Sequence, residues 1–161
     1  MMNSTTQVPK PRKERKPFVP LPMFYDTTDK YDIEIGVDEA GRGPLFGRLY
    51  VAGVVLPKDG SMDTSQIRDS KKISKKKLPE LFEFVKTHAL AYHIAYIEAS
   101  EIDEINIREA VVKAMHLCCS EIIKQLNPKL DKCILLIDGN DFPPYYHNNT
   151  RIDYKTFLQG D

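Results

Sequence analysis

Asp38 and Glu39 stand side by side at the end of an alternating apolar segment, and Asp138 directly follows a second apolar run, Cys133 to Ile137. A further acid, Asp161, follows Gly160. Adjacent carboxylates at the end of a buried strand repel each other and lose hydration, so they call for a cation or strong donors nearby. An acid at the carboxyl end of a central strand lies where open α/β sheets bind ligands. Together these acids would suit hard cations such as Mg²⁺ or Mn²⁺, which favour oxygen ligands. Two such ions about 3.5–4 Å apart can flank a scissile phosphate, one readying water and the other stabilising the leaving oxygen. The plainer readings are a solvated strand end for Asp38-Glu39 and an ordinary Asp-Gly turn for Asp138.

Gly41-Arg42-Gly43 follows the acidic pair. Glycines flanking an arginine let backbone amides approach a ligand while the guanidinium reaches phosphate or ribose; a simple turn with a surface arginine is the alternative. Asp69-Ser70-Lys71-Lys72 offers a hydroxyl and two ammonium groups that could hold a phosphate backbone, or merely a solvated basic face. The four histidines, His88, His93, His116 and His147, show no ligand spacing. Tyr145-Tyr146 could stack on bases, with packing at least as good a reading.

Elements must carry these residues. Ile33, Ile35 and Val37 alternate with Glu34, Gly36 and Asp38, which predicts a strand with Asp38 on the face of Gly36 and Glu39 on the other unless the chain turns, as Ala40-Gly41 directly after would allow. Leu49 to Leu56 predicts a second, largely buried strand. Leu78, Leu81, Phe82 and Val85 share a helical face, predicting a helix from about Ser74 to His88, with Pro79 disturbing its start. Leu90, Tyr92, Ile94 and Tyr96 alternate as a strand. Asn106 is a good N-cap for a helix to about Gln125, whose inner face would hold Ile107, Ala110, Val111, Ala114, Leu117, Cys118 and Ile122. Cys133 to Ile137 predicts a strand at a sheet centre. The order strand, strand, helix, strand, helix, strand predicts an α/β fold with one mixed sheet flanked by helices. Residues 1–30, with five prolines and the basic run Lys10 to Lys16, read as a flexible tail in which only Phe18-Val19 and Met23-Phe24-Tyr25 could dock on a core; residues 31–161 read as the folded domain.

The 161 residues suit one domain, and a formal net charge of zero argues against a uniformly basic nucleic-acid binder. The three cysteines are odd in number and lack a C-x-x-C pair, so they predict reduced core thiols rather than disulfides or a zinc site. No apolar run reaches transmembrane length and the N-terminus has no secretory signal. A cytoplasmic monomer is expected, or a nuclear one if the source is eukaryotic or viral.

The run Ile35-Gly36-Val37-Asp38-Glu39-Ala40-Gly41-Arg42-Gly43-Pro44-Leu45 resembles the G-x-D-E-A-G-R-G-P signature of the type 2 ribonuclease H family (ribonuclease HII). Asp69 to Ser74, Ile102-Asp103 with Asn106-Ile107, Leu136 to Asn140, and Gln159-Gly160-Asp161 resemble later family segments in the same order. The resemblance implies a ribonuclease H-like fold. It also implies hydrolysis of the RNA strand or of embedded ribonucleotides in RNA/DNA duplexes, leaving 5′-phosphate and 3′-hydroxyl ends. By the same resemblance Asp38, Glu39, Asp138 and Asp161 would be the catalytic metal-binding acids, for Mg²⁺ or Mn²⁺. Gly41, Arg42 and Gly43 would read the 2′-hydroxyl and adjacent phosphate, while Ser70, Lys71 and Lys72 would touch the backbone. The sequence departs from the pattern at Phe46, at Arg48-Leu49 and at Gln159. The family's further C-terminal helices and junction-stacking tyrosine are also expected to be absent. The alternative expectation is a nucleic-acid-binding module whose catalysis that shortening impairs.

Overall fold

A computed structural model describes residues 23–43, 46–65, 67 and 70–158, with the Lys71 side chain excepted. The expectations for Asp69, Asp161, the Lys71 side chain and the basic run Lys10 to Lys16 lie outside the described residues.

Strand β1 (Ile33–Ala40) pairs antiparallel with β2 (Leu49–Val55), which pairs antiparallel with β3 (Ala91–Ile97). On its other side β1 pairs parallel with β4 (Cys133–Asp138), and β4 pairs parallel with β7 (Asp153–Phe157). The result is a mixed five-stranded sheet of order β3-β2-β1-β4-β7, the α/β class that the sequence predicts. A two-stranded hairpin, β5 (Tyr146–His147) and β6 (Thr150–Arg151), intervenes between β4 and β7.

Alternation along the strands assigns each side chain to a face. Ile35, Val37, Val51, Val55, Ala95, Leu135 and Ile137 are buried in one core. They face the long helix α3 (Ile107–Leu126) through its buried Ala110, Ala114, Met115, Cys118 and Ile122. Gly53 of β2 permits this approach, since a Cβ there would lie 2.7 Å from Ile122 Cδ1 and 3.0 Å from Cys118 Sγ. Asn106 caps α3, its side chain accepting from the Glu109 amide at 3.1 Å. All three cysteines are buried and unbridged, and burial pushes the Cys118 thiol up to about 11.

Several details correct the reading of the sequence. Helix α1 (Leu78–His88) begins four residues later than Ser74, which puts Pro79 in the first turn, where its missing N–H costs no helical bond. None of α1's residues is buried, although Leu78, Leu81, Phe82 and Val85 share a face. On α3, Leu117 is exposed and Met115, Cys119 and Ile123 join the inner face, because the helix meets the sheet along a broader stripe. A short helix α2 (Ala99–Ile105) precedes α3. Within the segment read as a tail, the stretch at Met23-Phe24-Tyr25 that the sequence allows to dock is tied to the sheet. The Tyr25 and Asp26 amides both donate to the buried Glu34 carboxylate at 2.9 Å, and Lys58 Nζ lies 2.8 Å from it. Among the described residues no helix is long and apolar enough to cross a membrane.

Candidate active site

The parallel register of β1 and β4 aligns Gly36 with Leu136 and Val37 with Ile137, so the next residues of the two strands are Asp38 and Asp138. Both acids occupy the sheet face opposite α3, Asp38 sharing it with Gly36 and Asp138 with Leu136. Burial at this strand end raises the Asp38 pKa, and the nearby charges of Asp138 and Glu39 push it further up. A carboxyl–carboxyl hydrogen bond with Asp138 acts in the same direction. The Glu39 amide opposes this by donating to Asp38 Oδ1 at 2.6 Å. Two acids thus sit close enough on neighbouring strands to disfavour a full double charge without a cation.

Glu39 points to the α3 side of the sheet, and its carboxylate lies 3.4 Å from Arg42 Nη1. Among the described residues no group of three or more His, Cys, Asp or Glu side chains converges on one point able to hold a metal ion. The two facts are connected: strand alternation separates Glu39 from Asp38, and Arg42 engages it. Asp161, the fourth acid expected from the sequence, lies outside the described residues. The donor set that is present, oxygen atoms of Asp38 and Asp138 with Glu39 adjacent, fits a hard divalent cation by its chemistry.

Gly41 has φ +96°, and a Cβ there would meet the Arg48 carbonyl oxygen at 2.7 Å, so this turn admits only glycine without strain. The turn sends Arg42 back over Glu39. Among the described residues nothing lies within 4 Å of a notional Cβ at Gly43, which leaves room there for an approaching ligand. Ser70 and Lys72 are exposed on a 3-10 turn, Ser70–Lys72. Of the aromatic pair, Tyr145 is buried and packs 4.9 Å from His116, whereas Tyr146 is exposed.

Two residues that the sequence reading missed join this region. Arg108, in the first turn of α3, grips Asp141 with two prongs: Nη2 donates to Oδ1 at 2.9 Å, and Nε donates to Oδ2. This fork holds the Asp141 carboxyl below the usual range, and the Arg42 charge adds to the effect. Asp141 stands only three residues beyond Asp138, which was the one available signal. Its partner lies 33 residues away, and sequence spacing carries no trace of that contact.

A sequence model of the family described as Ribonuclease HII matches residues 35–158. The chain is 42% identical over 120 residues to the Ribonuclease HII of Francisella tularensis subsp. novicida (strain U112), covering 74% of this chain and 60% of that protein. The Ribonuclease HII of Francisella tularensis subsp. tularensis (strain WY96-3418) matches to the same extent. The chain therefore spans about 60% of the length of these relatives. Among solved structures, RNase HII of Archaeoglobus fulgidus, in a complex with PCNA, superposes with a TM-score of 0.53 at 28% identity, covering 70% of this chain and 53% of that one. Ribonuclease H2 of Pyrococcus horikoshii OT3 gives a TM-score of 0.61 at 20% identity, covering 80% and 64%. At that identity the likeness speaks for the fold alone.

Proposed function

This chain belongs to the ribonuclease HII family, and we propose on that premise that it is an endoribonuclease acting on the RNA strand or embedded ribonucleotides of RNA/DNA duplexes. The observation that supports this reading best is the Asp38–Asp138 pair. Two carboxylates end adjacent parallel strands, the charge of Asp138 helps push the Asp38 pKa up, and a shared divalent cation would stabilise both. Asp38 and Asp138 would hold Mg²⁺ or Mn²⁺, with Asp161 completing the set and Glu39 joining once the Ala40-Gly41 turn carries its carboxylate round the strand end from Arg42. Such ions, when bound, supply Lewis acidity at the scissile phosphate and a lowered pKa for the attacking water.

The chain's own residues do the rest. The Gly41 turn and the unobstructed backbone at Gly43 leave room for a sugar-phosphate to approach closely. Arg42, half exposed and loosely held by Glu39 at 3.4 Å, is free to swing to a 2′-hydroxyl or phosphate. A 2′-hydroxyl contact is what separates RNA from DNA at a given position. Ser70, Lys71 and Lys72 would touch the flanking backbone and so orient the duplex. The products would carry 5′-phosphate and 3′-hydroxyl ends.

A second reading, binding of such duplexes without cleavage, is favoured by one observation: among the described residues the acids do not close into a cage. One assay separates the two. The purified chain is incubated with a DNA duplex carrying a single ribonucleotide, in Mn²⁺, in Mg²⁺ and in EDTA. Metal-dependent scission 5′ to the ribonucleotide is the expected outcome. Duplex binding with no scission in either metal would replace the nuclease reading with the binding one.

A further inference from the structure

The turn that follows Asp138 runs through Gly139 and Asn140 to Asp141, and beyond it the chain is anchored by the buried Phe142. Gly139 takes φ +118° and has no side chain, and Asn140 is exposed. On one side the turn is fixed to β7, where the Gly139 amide donates to the Phe157 carbonyl at 2.7 Å. On the other side its first charged side chain, Asp141, lies in the Arg108 fork. Arg108 belongs to a rigid reference: α3 is capped by Asn106 and packs eight buried residues into the core. Planar two-pronged contacts fix orientation as well as distance, unlike the point charge of a lysine.

We infer that Asp141, held by Arg108, is a positioning residue: the pair ties the turn carrying Asp138 to the first turn of α3 and so fixes where the Asp138 carboxylate meets Asp38. This rests on the metal site of the proposed function. Both partners are exposed, so the pair contributes little to global stability. Its consequence is geometric. Partners behind metal ligands typically change metal affinity or activity by about 10- to 100-fold when removed. A loosened Asp138 turn puts this pair at the lower end of that range.

Charge alone makes the opposite prediction for one variant, which gives the test its edge. Removing the Arg108 cation near an acidic site should tighten binding of a divalent cation by Coulomb attraction. Removing its anchoring role should weaken it. Free Mn²⁺ is followed by electron paramagnetic resonance while it is titrated with the wild-type chain, Arg108→Gln, Arg108→Lys, Asp141→Asn and Asp38→Asn. Thermal melting in EDTA verifies that each is folded.

The expected result is binding weakened about 10-fold in Arg108→Gln and Asp141→Asn. Arg108→Lys, which keeps the charge and loses the fork, should bind more weakly than wild type. Melting temperatures should stay within about 2 °C of wild type, as for an exposed ion pair. Mn²⁺ binding in Arg108→Gln equal to or tighter than wild type overturns the inference while leaving the metal site standing. Absence of Mn²⁺ binding by the wild-type chain, or unchanged binding in Asp38→Asn, overturns the metal site itself and the inference with it.

Discussion

At the scale of single residues, Asp38 carries an electrostatic penalty. Its pKa is raised by burial and by the charges of Asp138 and Glu39, so the native chain keeps its proton to a higher pH than the unfolded chain does. The associated stability is complete below the ordinary value of 3.8 and is lost as pH rises through the raised value. Above that raised value the metal-free chain carries a charged Asp38 at a cost. Like charges facing each other across strands cost roughly 0.2–1 kcal/mol. Asp38→Asn is accordingly expected to raise the melting temperature in EDTA by about 1–3 °C at pH 7, with the gain fading at acid pH, while abolishing cleavage. Saturating Mn²⁺ should reverse the order, because only the wild-type site gains binding energy. Differential scanning calorimetry at two pH values, with and without Mn²⁺, reads all of this. A lower melting temperature for Asp38→Asn in EDTA at pH 7 would contradict a repulsive pair.

At the scale of elements, the contact between β2 and α3 is set by what Gly53 lacks. A methyl group there would press on Ile122 Cδ1 at 2.7 Å and Cys118 Sγ at 3.0 Å, both on a helix locked by its buried face. Gly53→Ala should destabilise the chain by about 1–3 kcal/mol, as small-to-large changes in packed cores do. Ile122→Val deletes the atom that the new methyl group meets. The double variant should therefore be less destabilised than the sum of the two single ones, a coupling that a double-mutant cycle in urea measures. Strict additivity would mean that the helix moves as a body instead. Elements with clean periodicity were legible in the sequence: β1 by its alternation, β4 by its unbroken apolar run, and α3 by its Asn106 cap. β7 was not, because Asp153 to Phe157 mixes charged and aromatic residues on an edge strand and owes its existence to pairing with β4. The start of α1 was misplaced because serine at position 74 imitates a cap, whereas Pro79 fits only a later start.

At the scale of the whole molecule, the sequence carries the order of the elements but not their registers. Alternation sets Asp38 and Glu39 on different sides of β1, yet only the parallel pairing of β1 with β4 brings Asp138 alongside. The Arg108–Asp141 fork depends likewise on where α3 is laid down. The same packing leaves the sheet asymmetric. One face is sealed by α3. On the other, Met23 and Phe24 lie beside Gly36, Val54 and Leu136, while the cross-strand pairs Tyr50–Tyr96 and Ala52–Ile94 remain open. Ile94 is 42% exposed and its neighbour Ala95 is 6% exposed, although they are adjacent in sequence. A lysine at 94 can extend its charge into water with its stem along the sheet, whereas one at 95 would be driven into α3. Ile94→Lys should thus change the melting temperature by no more than about 2 °C, the range of a surface substitution. It should also reduce light scattering by concentrated solutions, since apolar sheet faces promote association. Ala95→Lys should prevent cooperative folding. If Ile94→Lys instead unfolds the chain, that face is packed in solution and the one-sided description of the sheet is wrong.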